Sequence, residues 1–205
     1  MHIPDGLISP AISATGYALS MGVAIPVFLK SRLFASRMTR ISMVAAVVFV
    51  SSLVHIPVGF TSVHFTFAPM AGILLGPSSF IAVSLAIFLQ WLLLGHGGIT
   101  TLGVNTLTMG SAALVSYFLF YRITSFLPEG KKKTMVPAVV AGIIATLLKV
   151  ILGSSFLVLS GFPGETFFLL LLSHVPVILG EGAIAGLAAY YVLRLFRESE
   201  VLAHA

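Results

Sequence analysis

Six apolar runs, near residues 11–30, 40–57, 78–94, 104–126, 134–159 and 166–196, set the terms for what this chain can become. A helix that crosses a bilayer needs about 20 consecutive apolar residues, and each run approaches or exceeds that length. The last is longer than crossing requires, so its end is expected beyond the lipid. Charged residues make up 8% of the 205, against about a quarter in a soluble domain. So few charges cannot cover a bundle in water, and most of the surface must face lipid. The nineteen glycines agree, because small residues let membrane helices approach closely.

Several function classes drop out early. The chain has no cysteine, which removes disulfides, thiolate metal sites and cysteine nucleophiles together. Its formal charge of +5 does not point to nucleic acid, because the basic residues sit in short clusters at the ends of apolar runs. That placement reports membrane orientation. The start, Met-His-Ile-Pro-Asp-Gly, carries no Lys or Arg before the first apolar run, unlike a cleavable secretory leader. The chain is expected to keep Met1, because His2 is too bulky for ready removal of the initiator methionine.

A shorter segment, 66–76, ends at Gly76-Pro77 and is too short to cross alone. Charge decides whether it counts. Lys30, Arg32, Arg37 and Arg40 lie in the first connection; Arg122 and Lys131, Lys132 and Lys133 lie further on; Arg194 and Arg197 lie in the tail. These are ten of the eleven basic residues. Seven crossings with the N-terminus outside put all ten on the cytoplasmic side, and six crossings do not. The expected fold is therefore all-α: a polytopic bundle of seven transmembrane helices, N-terminus out and C-terminus in. The whole chain, 1–205, reads as a single domain without an inverted repeat.

This topology gathers Met1, His2, His64 and His96 on the outer side. A free Met1-His2 terminus offers the α-amine, the His2 amide nitrogen and the His2 Nδ1 to one metal. Five- and six-membered chelate rings close around it. The amide must lose its proton, which favours Ni(II) and Cu(II), and three nitrogens near one plane leave one position open. His64 and His96 both qualify for it. The thioethers of Met70 and Met109 are softer donors. The loop from Leu94 to Asn105 carries four glycines together with Thr100, Thr101 and Asn105. It lacks the Gly-Lys-Ser/Thr ending of a phosphate loop and reads either as a lid over an outer cavity or as a plain connection.

Met1-His2-Ile-Pro-Asp-Gly resembles the opening of the CbiM/NikM family, the substrate-capturing membrane components of energy-coupling-factor cobalt and nickel transporters. Thr61-Ser62-Val63-His64 before Gly76-Pro77 resembles its second histidine region. Gly97 to Asn105 resembles its glycine-rich loop, and Ser173-His174-Val175-Pro176 with Glu181-Gly182 resembles its last helix. The resemblance implies Met1, His2 and His64 as metal donors. It implies a lid over the metal drawn from His96, Gly97, Gly98, Thr100, Thr101 and Asn105. It also implies a transported Ni(II) or Co(II) and no catalytic cofactor. The implied partners are a transmembrane coupling subunit, a pair of ABC ATPase subunits and a small accessory membrane subunit, in the plasma membrane.

Lys149 and Glu181 fall inside apolar runs, where a charge must pair or face a cavity. They are expected to pair in helix packing or at a coupling surface. His55 and His174 are read as groups able to orient ligands through hydrogen bonds. Two other readings were weighed. A capture component for a vitamin or other small molecule does not explain the N-terminal motif. An intramembrane hydrolase lacks His-Glu-x-x-His, and Ser173 and His174 have no acid beside them.

Overall fold

A computed structural model describes residues 2–30, 34–53, 55–58, 61–128 and 130–203. Met1, expected as a metal donor, and Arg32, from the first basic cluster, lie outside the described residues. The fold is a helical membrane bundle. Helix α1 (Pro10–Lys30) starts with Pro at its first position, and the Ser9 hydroxyl accepts from the Ile12 N–H at 3.4 Å. Helix α2 (Phe34–Ser51) follows.

The first departure from an all-α reading comes next. The helix expected over 40–57 stops at Ser51, where the Ser51 and Ser52 hydroxyls bond back to the Val48 and Phe49 carbonyls. Pro57 disfavours helical geometry at Ile56. The chain instead forms a β-hairpin, β1 (His55–Val58) with β2 (Thr61–His64), antiparallel and pairing His55 with His64. A two-stranded ribbon has only edges, so a strand proline is tolerated there.

The doubtful segment 66–76 becomes α3 (Ala68–Leu75). The chain reverses at Gly76-Pro77 through one 3-10 turn, Gly76–Ser78, into α4 (Ser79–Leu94). Helix α4 returns along α3, so Ala68 and Ala71 pack with Val83, Ala86 and Ile87 in one core. Helix α5 (Leu102–Thr124) runs through the middle, against α1, α3, α4 and α6 (Lys131–Leu159). It starts two residues before the run expected at 104 and ends two before 126.

The run expected as one helix over 166–196 is two, α7 (Glu165–Ser173) and α8 (Val175–Ala203). Pro176 is the cause. It has no N–H to give Leu172, and its ring crowds that carbonyl. Helix α8 crosses α6 closely. A Cβ on Gly182 would meet the Val139 carbonyl at 3.0 Å, and one on Gly142 would meet the Gly182 Cα at 2.9 Å. This small-residue seam suits helices that meet in lipid.

The side-chain distribution is that of a membrane protein. Large apolar groups such as Leu19, Phe28, Leu93, Phe118 and Leu187 lie exposed on the outside, while Ser, Thr, Gln and Asn side chains are buried among the apolar core. Among the described residues, five helical stretches are long and apolar enough to cross a membrane, with Ala68–Leu94 counted as one. Lys149 and Glu181 are 2% and 1% exposed and pair as expected, with Nζ and Oε1 4.0 Å apart. The same oxygen accepts from the Thr66 N–H, the Thr66 hydroxyl at 2.8 Å and the Phe67 N–H at 3.1 Å. Lys149 also donates to the Thr66 hydroxyl at 3.1 Å. Phe67 has φ 51° and is the one described residue other than glycine in the left-handed region. That conformation costs on the order of 1–2 kcal/mol, and the Glu181 carboxylate holds it.

Replacing Glu181→Leu strands a buried ammonium and three donors, and is expected to remove about 3 kcal/mol of stability. Unfolding in detergent micelles measures it. Glu181→Gln keeps an acceptor oxygen and should lose less; equal losses would show that the hydrogen bonds to Thr66 and Phe67 contribute nothing.

Candidate functional site

One end of the bundle is closed by its own N-terminal segment. Ile3 is buried, at 2% exposure, and its peptide is held from both sides by one side chain. The Ile3 N–H donates to Asn105 Oδ1 at 2.9 Å, and Asn105 Nδ2 donates to the Ile3 carbonyl at 3.0 Å. The Thr101 hydroxyl donates to the same carbonyl at 2.6 Å. Asn105 and Thr101 lie at the start of α5, one turn apart, so both can reach the same peptide.

Two residues on, Asp5 receives the glycine-rich loop. Its carboxylate accepts from the Ile99 N–H at 3.1 Å, the Thr100 N–H at 2.8 Å and the Thr100 hydroxyl at 2.5 Å. Burial pushes the Asp5 carboxyl up, but these donors outweigh it and hold it below the usual carboxylate range. Tyr17, from α1, donates to the Ile99 carbonyl. The approach requires glycine. A Cβ on Gly98 would sit 2.0 Å from the Asp5 carboxyl, and one on Gly97, at φ 80°, would sit 2.8 Å from Asn105 Nδ2.

The clasp carries His2 inside, to 4% exposure. Its ring lies 4.9 Å from that of His64, centre to centre, with the planes 8° from parallel. His64, at the end of β2, is 2% exposed. Its Nδ1–H donates to the Phe65 carbonyl at 2.8 Å, which sets the tautomer with the lone pair on Nε2. His96 follows Gly95, which ends α4 in the left-handed region, and the His96 N–H bonds back to the Gln90 carbonyl at 3.1 Å. That cap turns the His96 ring to 5.8 Å from His2. His55 reaches His96 from β1, 4.8 Å away and edge to face at 83°.

Burial disfavours the charged form of His2, His64 and His96. Burial holds His2 well below the usual imidazole range. The positive N-terminal amine and His96 act in the same direction, and Gln90 opposes them. Burial, His55 and the amine lower His96. A neutral imidazole keeps a lone pair for a metal without first shedding a proton. Among the described residues no three His, Asp or Glu side chains converge on one point.

The sequence-expected residues His2, His64, His96, Gly97, Gly98, Thr100, Thr101 and Asn105 thus meet at one end of the bundle. Lys149 and Glu181 lie just behind it, tied through Thr66 to the chain that follows His64. His174 is fully buried at the α7–α8 break, its Nδ1–H donating to the Leu170 carbonyl at 2.7 Å. Sequence reasoning missed Asp5 and Tyr17. Asp5 lies in the N-terminal motif, but its grip on the loop depends on a contact 95 residues away in sequence. Nothing in the sequence marks Tyr17.

The chain matches the family described as cobalt uptake substrate-specific transmembrane region over residues 2–199. A Haemophilus influenzae protein, provisionally named as a metal transport protein, is 32% identical over 191 residues, 90% of this chain and 89% of that one. The cobalt transport protein CbiM of Clostridium tetani is 30% identical, covering 98% of this chain and 88% of its own length. A crystal structure of a transition metal transporter superposes with a TM-score of 0.84 at 22% identity, over 95% of this chain and 93% of that one. That likeness is one of fold.

Gly98→Ala drives the Asp5 carboxylate away and is expected to speed amide exchange at Ile99 and Thr100 by about tenfold or more. Hydrogen-exchange mass spectrometry of peptides over 95–105 reads this. Unchanged protection would mean that the closure does not depend on Asp5.

Proposed function

From a chain that belongs to the cobalt uptake substrate-specific transmembrane family, we propose an N-terminal metal-capture mechanism: Met1, His2 and His64 bind Ni(II) or Co(II) at the outer membrane face. The protein is a multi-pass membrane protein and a transport component, not an enzyme. The observation that carries the mechanism is the burial of His2 beside His64 by a clasp on the very next peptide. An N-terminal segment has no reason to be held this tightly inside a bundle unless its own atoms are needed there.

The donors would be the Met1 amine, the His2 amide nitrogen and Nδ1, and His64 Nε2. The two rings are spaced for adjacent positions on one ion. Metal–nitrogen bonds of about 2.0 Å put the centres of two such imidazoles roughly 4.5–5.2 Å apart, and His2 and His64 stand at 4.9 Å. Four nitrogens in one plane would favour Ni(II) over Co(II). The loop from His96 to Asn105 acts as the lid, with Asp5 as its latch.

Seven traverses with the N-terminus outside fit this reading. Helix α3 has eight residues, about 12 Å of rise against a hydrocarbon core of about 30 Å. The extended chain from Thr61 to Phe67 supplies the remaining depth, and its polar groups are satisfied inside protein, as membrane depth demands. The turn at Gly76–Ser78 shares a cavity with Arg40 and Tyr121, and this nearby basic residue supports reading that end as cytoplasmic. The whole chain, 1–205, acts as one capture domain. Release inward would depend on a transmembrane coupling subunit and ABC ATPase subunits. An accessory membrane subunit is also expected. The fused nickel transport protein NikMN of Rhodobacter capsulatus matches this chain over 33% of its own length, at 34% identity.

Calorimetry with protein whose N-terminus is native tests the site. One glycine added ahead of Met1 displaces the amine and should abolish tight Ni(II) binding, as should His64→Ala. Affinity that survives both changes rules the site out. Acid should weaken binding. His2 is already neutral near pH 7, so the protons to displace are those of the amine, with a pKa of about 8, and of the amide. Apparent affinity should therefore fall as pH drops through 8, about tenfold per unit for each proton displaced. A fall that begins only near the imidazole value of about 6.5 would contradict this donor set.

A further inference from the structure

The four histidines at this end form a graded series. His55 is exposed, His96 half-buried, and His2 and His64 buried. Their ring centres are 4.8, 5.8 and 4.9 Å apart in that order. The inner pair is accounted for by the proposed metal site. The outer pair is not.

We infer that His55 and His96 form a second, outer site that holds a hydrated divalent transition-metal ion before it passes to the inner one. This rests on the metal-capture reading. Three observations support it. The 4.8 Å separation lies in the range of about 4.5–5.2 Å that two imidazoles bound side by side on one ion require. His96 Nδ1 is buried and has no hydrogen-bond partner among the described residues, although a buried ring nitrogen ordinarily finds one. The two rings also come from independent elements, β1 and the α4–α5 loop. Their meeting is produced by the fold: the hairpin register sets His55 opposite His64, and the Gly95 cap aims His96.

The chemistry suits a way station. Two imidazoles leave the remaining coordination positions to water, so the ion keeps part of its hydration shell and is held weakly. Water then leaves in stages, which spares the ion from losing its whole shell in one step at the buried site. His96 borders both sites, being 4.8 Å from His55 and 5.8 Å from His2, so an ion can move inward by exchanging one ring for another.

The test is Ni(II) stoichiometry and filling rate, measured on the full chain in nanodiscs by equilibrium dialysis with metal analysis and by stopped flow. Protein with the native N-terminus should bind two equivalents, one tight and one weak. Protein with one glycine added ahead of Met1 should keep the weak equivalent, and His55→Gln in that extended protein should remove it. With the native terminus, His55→Gln should slow filling of the tight site several-fold. His55 is exposed, so the variant is expected to fold, and circular dichroism checks that. The outer site is overturned if the extended protein binds no Ni(II), if its remaining equivalent survives His55→Gln, or if filling is no slower in the variant. An extended protein that still binds both equivalents sinks the inner-site reading instead, while loss of one of them on His55→Gln would leave the outer site standing.

Discussion

The backbone of Ile3, held through both its N–H and its carbonyl by the Asn105 side chain, makes the N-terminal segment part of the bundle. A chain terminus normally frays, because nothing offsets the entropy of fixing it. Here three hydrogen bonds to the backbone of Ile3, and three more to Asp5 two residues later, offset that cost. Everything at the histidine end depends on this. His2 is buried because Ile3 is fixed, and the glycine-rich loop closes because Asp5 is in place to receive it. The tight approach of Gly97 and Gly98 has no other occupant to serve. Backbone nitrogens at a chain end are strong ligands for late transition metals, and holding the end fixes where they can act. The clasp does the holding.

The second constraint is lipid. No Asp, Glu, Lys or Arg occurs between Arg40 and Arg122, yet this stretch holds the hairpin, a non-helical connection and the reversal at Gly76. Such backbone survives at membrane depth only when its polar groups are met by protein. Glu181 meets them at the most exposed point of the argument, accepting from Thr66 and Phe67 where strand gives way to helix. Lys149 balances its charge. The pair therefore does more than join α6 to α8. It fixes the chain two residues beyond His64 and so supports the histidine cluster from below.

Much of this was legible in the sequence, and the failures have physical reasons. Helices α1, α4, α5 and α6 fall within three residues of the expected runs at each end, because length and apolarity dominate in lipid. The hairpin was missed because Val-His-Ile-Pro-Val is as apolar as the helix before it. Only Pro57 signalled the change, and hydropathy does not register backbone geometry. The break at His174 was passed over for the same reason, with Pro176 the signal. Pairing of Lys149 with Glu181 followed from the cost of lone charges in lipid. Their grip on Thr66 did not, since it depends on a strand end reaching mid-bundle. At the site, charge placement gathered His2, His64 and His96 on one side. It could not find the His55–His96 contact, because the strand register that delivers His55 is invisible without the hairpin.

The account stands on one claim: the chain's own terminal nitrogens bind the metal together with two imidazoles. X-ray absorption and visible spectroscopy of the Ni(II)-loaded protein, prepared with its native N-terminus and one equivalent of metal, address it directly. The account predicts a planar, diamagnetic centre with four short nitrogen bonds and no oxygen in the first coordination sphere. A six-coordinate, paramagnetic Ni(II) ligated largely by oxygen would contradict it, since neither the amine nor a deprotonated amide could then be holding the ion.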